Sequence, residues 1–104
     1  MAKLFLDDLR QAPDTTWSVV RTTDEAIRWV QTNGCPECIS FDFYLANGLD
    51  SLPFVHWLIE QDKEKNGAFL PENFSFEVHS NSPAGRAKLR YLLETYLASK
   101  RPIE

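Results

Sequence analysis

The chain has 104 residues, 43% of them apolar and 25% charged, with a formal net charge of −4. That length fits one small domain with a single core, and the composition is that of a folded globular chain, not a disordered one. The acidic balance argues against gripping long duplex nucleic acid, which takes a broad basic surface, yet leaves room for a small phosphate held by one or two arginines.

No run is long enough to span a bilayer, and "MAKLFLDDLR" turns acidic too soon for a signal peptide. With no secretion signal and two cysteines, a reducing cytoplasmic compartment is the expectation.

"AKLFL" (residues 2–6) is a short apolar run stopped by Asp7 and Asp8, the pattern of a buried strand. "WSVVRT" (17–22) is β-branched and reads as a second strand. The link of about ten residues between them is short for a parallel crossover, so a hairpin is the alternative there. Thr22, Thr23, Asp24 and Glu25 fit a capping box, followed by Ala26, Ile27 and Val30 on one helical face and Gly34 as a stop.

"CISFDF" (38–43) is the third strand. From Ser51 to Asp62, Leu52, Val55, Leu58 and Ile59 form a helical stripe, with Pro53 tolerable in the first turn. "KEKNGAFLPEN" (63–73) has the Gly, Pro and Asn of a surface connection, and "FSFEVHS" (74–80) alternates as a fourth strand. Ser82 and Pro83 fit the N-cap and first residue of a last helix carrying Leu89, Leu92, Leu93 and Tyr96. Strands separated by helices favour a parallel sheet covered on both faces. The expected fold is a single α/β domain over residues 1–104, an open, mainly parallel sheet of about four strands with three helices.

Three of these strands end in polar groups: Asp7 and Asp8, then Asp42, then His79 and Ser80. In an open parallel sheet those ends share one edge, where ligands bind. Carboxylates brought together repel unless a cation sits between them, and hard oxygen donors suit Mg²⁺. Alternatively Asp7 and Asp8 cap a turn and Asp42 pairs with an arginine.

"VHSNSPAGR" (78–86) supplies the opposite pole. With Ser82 as N-cap, the amides of Ala84, Gly85 and Arg86 are expected to be free for an anion. Gly85 would allow close approach, and Arg86 would add bidentate hydrogen bonds beside Asn81. Plain capping accounts equally for Ser82 and Pro83. Arg10 and Arg21 are further phosphate candidates or ion-pair partners of Asp14 or Asp24, with Arg10 nearer the aspartate pair.

The Cys35–Cys38 CxxC follows a helix and enters a strand, the reverse of redox pairs, and only His56 and His79 could complete a zinc set. It reads as two half-buried thiols. His56 reads as a packing or surface residue, and Trp17, Trp29 and Trp57 as core.

"LFLDDLRQAP", "WSVVRTTDEAIRWV", "ISFD" and "VHSNSPAGR", in that order, resemble the cyclic-phosphate processing receiver domain family, a branch of the receiver-like, flavodoxin-like fold. The likeness covers nearly the whole chain. It implies that Asp7, Asp8 and Asp42 match the acidic metal pocket of response regulators, and that Arg10, His79, Ser80 and Arg86 occupy family positions. It also implies work on cyclic phosphates, in RNA-end repair or in nucleotide-signal conflicts between phage and host. Family members commonly read Asp-His-Asp-Leu-Gly after the third strand, whereas "DFYLA" puts Phe43 and Tyr44 at the histidine and second aspartate. The last strand–helix unit of a full receiver, with its lysine, is also expected to be lacking, which weakens a phospho-accepting reading.

The expected function is a metal-dependent phosphoesterase acting on a 2′,3′-cyclic phosphate RNA end or a cyclic nucleotide. Asp7, Asp8 and Asp42 would hold Mg²⁺ or another divalent cation, and His79 would act as general acid or base, with Asp42 and Ser80 beside it in the catalytic set. Arg10, Asn81, Ser82, Gly85 and Arg86 would bind the phosphate. Two alternatives stay open: a non-catalytic module binding or sequestering a cyclic nucleotide or a protein partner, and a signalling receiver phosphorylated on Asp42. The expected partner is a small ligand, with no long duplex and no membrane.

Overall fold

Side-chain alternation decides what each strand contributes. In the computed structural model, which describes residues 2–100, the strands are β1 (Lys3–Leu6), β2 (Trp17–Val20), β3 (Cys38–Phe41) and β4 (Ser75–Val78). All are parallel, in the order β2–β1–β3–β4. The register sets Leu4 beside Ser18 and Ile39, and Leu6 beside Val20 and Phe41. Leu4, Leu6, Val20, Ile39 and Phe41 therefore share one face, and all lie in the hydrophobic core. Helices α1 (Thr23–Asn33), α2 (Leu52–Glu64) and α3 (Pro83–Lys100) close that core with Val30, Phe54, Leu58, Leu89 and Leu93.

The alternate residues Lys3, Phe5, Val19, Ser40 and Glu77 face the other way, and none joins that core. Helix α2 packs against both α1 and α3, so the helices form one layer. The expectation of helices on both faces is thus overturned among the described residues. Residues 7–16 join β1 to the parallel β2 without a helix, which also removes the hairpin alternative. On the open face Phe5 is covered by aromatic rings instead. Trp17 meets it edge-on at 5.9 Å and His79 stacks on it at 4.4 Å. Trp17 therefore belongs to this face rather than to the main core, while Trp29 and Trp57 pack against the core as expected.

The helix ends follow the sequence signals. The Thr22 hydroxyl accepts from the Glu25 amide at 3.0 Å, and the Glu25 carboxylate accepts from the Arg21 amide at 3.0 Å. Gly34 ends α1 at φ 85, and its amide reaches the Val30 carbonyl at 2.7 Å. Helix α2 runs to Glu64, two residues past the expected Asp62, and the Lys65 amide still bonds back to the Gln61 carbonyl at 3.1 Å.

Asp62 itself is fully buried and serves as a node. It accepts from the Phe69 and Leu70 amides at 3.0 and 2.8 Å, from Tyr96 Oη at 2.6 Å and from Lys100 Nζ at 2.7 Å. Burial alone would raise its carboxyl, but Lys100, Tyr96 and the Leu70 amide outweigh that and hold it below the ordinary aspartate value. Cys35 and Cys38 are free and half-buried, and burial pushes the Cys35 thiol up to about 12. No helix among the described residues is long and apolar enough to cross a membrane.

Candidate functional site

β1, β3 and β4 all stop where an apolar run meets a polar residue, and parallel pairing brings those stops to one edge. The third and fourth strands end earlier than their sequence runs, at Phe41 and Val78. The ladder still continues one step, from the Asp42 amide to the Leu6 carbonyl (3.0 Å) and from the His79 amide to the Phe41 carbonyl (2.9 Å). Those bonds place Asp7, Asp42 and His79 side by side. One ligand atom from each lies within 4.8 Å of the other two, a cluster that could hold a metal ion.

Asp7 is 1% exposed and both its oxygens are engaged. Oδ1 accepts from the amides of Leu9 (2.8 Å) and Arg10 (2.9 Å), and Oδ2 lies 2.9 Å from His79 Nε2. Burial pushes this carboxyl up, but the Arg10 and Leu9 amides and the His79 imidazole together bring it below the ordinary value. Turn capping and site chemistry are thus served by the same aspartate, one oxygen each.

Asp42 goes the opposite way. Burial first, and then the neighbouring Asp7 carboxylate, raise it, and His79, Ser80 and Arg10 only partly offset that. The repulsion between two adjacent carboxylates is the observation that fits a divalent cation, since a cation would relieve it. Among the sequence-predicted metal ligands, Asp8 stands apart: it lines the same cleft but is outside the Asp7–Asp42–His79 cluster.

His79 is held on three sides. Its ring stacks on Phe5, Nε2 faces Asp7, and Nδ1 lies 2.7 Å from the hydroxyl of Ser40. An ionised Asp7 needs a donor, so Nε2 carries hydrogen, and the neutral ring then presents Nδ1 to the Ser40 O–H. Ser40 is a residue that sequence reasoning missed. It sits on β3 in register with Phe5, so the only available signal was a hydroxyl inside an apolar run two residues before Asp42.

The cleft at Asp7 and Asp42 has a volume of about 330 Å³ and is lined by Asp7, Asp8, Leu9, Arg10, Asp42, Tyr44, Leu45, Ser80, Asn81 and Ser82, with His79 of the cluster not among the lining residues. Seven of the residues singled out in the sequence therefore line one cleft: Asp7, Asp8, Arg10, Asp42, Ser80, Asn81 and Ser82. Arg10 straps its rim, donating from Nη1 to the His79 carbonyl at 2.7 Å. Arg21 donates instead to the carbonyls of Asp7 (2.9 Å) and Arg10 (2.6 Å), fixing the β1–β2 link. Neither arginine pairs with the carboxylate expected for it in the sequence. A larger recess of about 490 Å³ is lined by Gly67, Leu70, Phe74 and Lys100, away from these strand ends.

The anion half of the expected site is corrected. The Ser82 hydroxyl accepts from the Gly85 amide at 3.0 Å, and the Ser82 carbonyl takes the Arg86 amide at 2.9 Å, so these two amides are not free. Gly85 and Arg86 do not line the cleft. Gly85 is a glycine for a different reason: a Cβ there would lie 2.6–2.8 Å from the side chain of Phe43. Arg86 donates from Nη1 to the Ser80 carbonyl at 2.6 Å, shaping the loop that presents Ser80 and Asn81. His56 is exposed on α2 and takes no part.

Residues 2–95 match the family model described as the cyclic-phosphate processing receiver domain. No curated protein and no solved structure gives a significant match.

Proposed function

Since the chain belongs to the cyclic-phosphate processing receiver domain family, we propose that its strand-end cleft is a metal-dependent phosphoesterase site that opens a cyclic phosphate by hydrolysis. The observation that carries this reading is the Asp7–Asp42–His79 cluster, in which a depressed and a raised carboxyl stand beside an imidazole.

Asp7 and Asp42 would hold the cation, with Asp8 across the cleft. When bound, a divalent cation polarises the phosphoryl oxygens and lowers the pKa of a coordinated water. Asp42, the carboxylate with the stronger hold on a proton, would take one proton from the attacking water. The water oxygen bonds to phosphorus, the ring P–O bond breaks, and the departing ribose oxygen takes the Nε2 proton of a doubly protonated His79, which is left as neutral imidazole with its remaining hydrogen on Nδ1. Ser40 positions that imidazole through Nδ1. Arg10, Asn81 and the Ser80 hydroxyl would carry charge on the phosphoryl oxygens. The product is a linear monoester.

The second reading is a module that binds a cyclic nucleotide without turning it over. It is favoured by His79 having both ring nitrogens engaged inside the protein. The test is incubation of cyclic mononucleotides, cyclic dinucleotides and RNA with a 2′,3′-cyclic phosphate end, with and without Mg²⁺. Mg²⁺-dependent appearance of a linear phosphate, lost in His79→Ala, supports hydrolysis. Binding without product supports the module, and acid-labile phosphate on Asp42 after a small phosphodonor points to a signalling receiver.

A further inference from the structure

The largest exposed apolar side chains include Leu9, 82% exposed, and Tyr44, 59% exposed, and both line the cleft of the carboxylates. Each stands two positions after one of the clustered aspartates, Leu9 after Asp7 and Tyr44 after Asp42. Two residues of extended chain reach at most about 7 Å, which keeps this apolar pair within one nucleotide's span of the carboxylates.

Both are set in place by the site itself. The Leu9 amide is bonded to Asp7 Oδ1, which fixes the turn that lifts its side chain out. Tyr44 is braced from behind: Phe43 meets it edge-on at 4.8 Å and 90°, and Phe43 is itself locked against the bare Cα of Gly85. The backbone of Tyr44 is pinned by an antiparallel bridge to Asp50. An exposed ring braced this way loses little entropy when something stacks on it.

We propose that Tyr44 and Leu9 form a nucleobase platform, so that the ligand of this cleft is a nucleotide and not a cyclic phosphate on a small alcohol or bare sugar. The inference rests on the phosphate reading above and adds what reads the rest of the ligand. A tyrosine face stacks on any base, so the platform selects for a base without choosing strongly among them.

The test compares two probes in Mg²⁺ by calorimetry: 2′,3′-cyclic AMP, and glycerol 1,2-cyclic phosphate, which keeps the five-membered cyclic diester without a base. The native protein is expected to bind the nucleotide about tenfold or more tighter. Tyr44→Ala should remove that advantage and leave the affinity for the glycerol diester unchanged, which also shows that the variant is folded. Tyr44→Phe should retain it. The Leu9 methyl resonances should move upfield with the nucleotide only. If Tyr44→Ala leaves nucleotide affinity unchanged, or weakens both probes equally, the platform is overturned while the phosphate reading stands, and the apolar pair is then assigned to contact with a protein partner. If neither probe binds the native protein, the phosphate reading fails and takes the platform with it.

Discussion

His79 Nε2 and Asp7 Oδ2 lie 2.9 Å apart, linking the ends of β4 and β1 across β3, which lies between those two strands in the sheet. The pair locks the two strand ends together and keeps Asp7 in its charged form. Asp7 sits below the ordinary aspartate value, so its share of stability is present above the unfolded value near ~3.9 and is lost as pH falls through the folded one. Removing the imidazole takes away one of its donors. His79→Ala should therefore raise the Asp7 titration midpoint, as followed by carboxyl carbon NMR, and cost about 1–3 kcal/mol at pH 7.

Asp42 should respond with the opposite sign. Its carboxyl is raised in the fold, so the charged form is disfavoured there, and the penalty is full above the folded value and relieved as pH falls. Asp42→Asn is expected to raise the melting temperature at pH 7, with the gain fading as pH approaches about 4. Added Mg²⁺ should stabilise the native protein and leave Asp42→Asn unmoved. A series of thermal melts across pH, with and without Mg²⁺, checks both statements.

Gly85→Ala would normally favour a helix by about 0.5–1 kcal/mol. Here the new methyl would sit 2.6–2.8 Å from Phe43, whose ring is buried. Overpacking is expected to win, with a net loss of about 1–3 kcal/mol by denaturant unfolding. In a Phe43→Ala background, which lacks the Cγ and Cδ2 atoms at 2.6 and 2.7 Å, Gly85→Ala should cost much less, because the clash is with the Phe43 side chain rather than with backbone. Equal, additive losses in the double variant would contradict the contact.

Asp62→Ala should be among the most damaging single changes. It removes an acceptor from two amides, the Tyr96 hydroxyl and the Lys100 ammonium at a fully buried position. A loss of about 3–5 kcal/mol is expected in equilibrium unfolding. The same variant, where still folded, should bind Mg²⁺ as the native protein does, since Asp62 lines no part of the strand-end cleft.

The elements were legible because their signals are local: capping at Thr22, the stop at Gly34, the apolar run before Asp7 and the alternation before His79. The convergence of Asp7, Asp42 and His79 was legible too, since it needs only parallel strands. Three things were not. The single helical layer depends on residues 7–16 crossing without a helix, and composition does not show which face a crossover takes. Gly85 looked like a phosphate glycine because its steric partner, Phe43, is far away in sequence. Ser40 was hidden because a strand hydroxyl declares its role only when the facing imidazole is in place.

The most direct single measurement is phosphorus NMR of 2′,3′-cyclic AMP incubated with the native protein and Mg²⁺. Hydrolysis at the Asp7–Asp42–His79 cluster is expected to convert the cyclic diester resonance into that of a phosphomonoester, with no conversion in Asp42→Asn or after chelation. A diester resonance that persists with native protein, or one that disappears equally fast with Asp42→Asn, would contradict it.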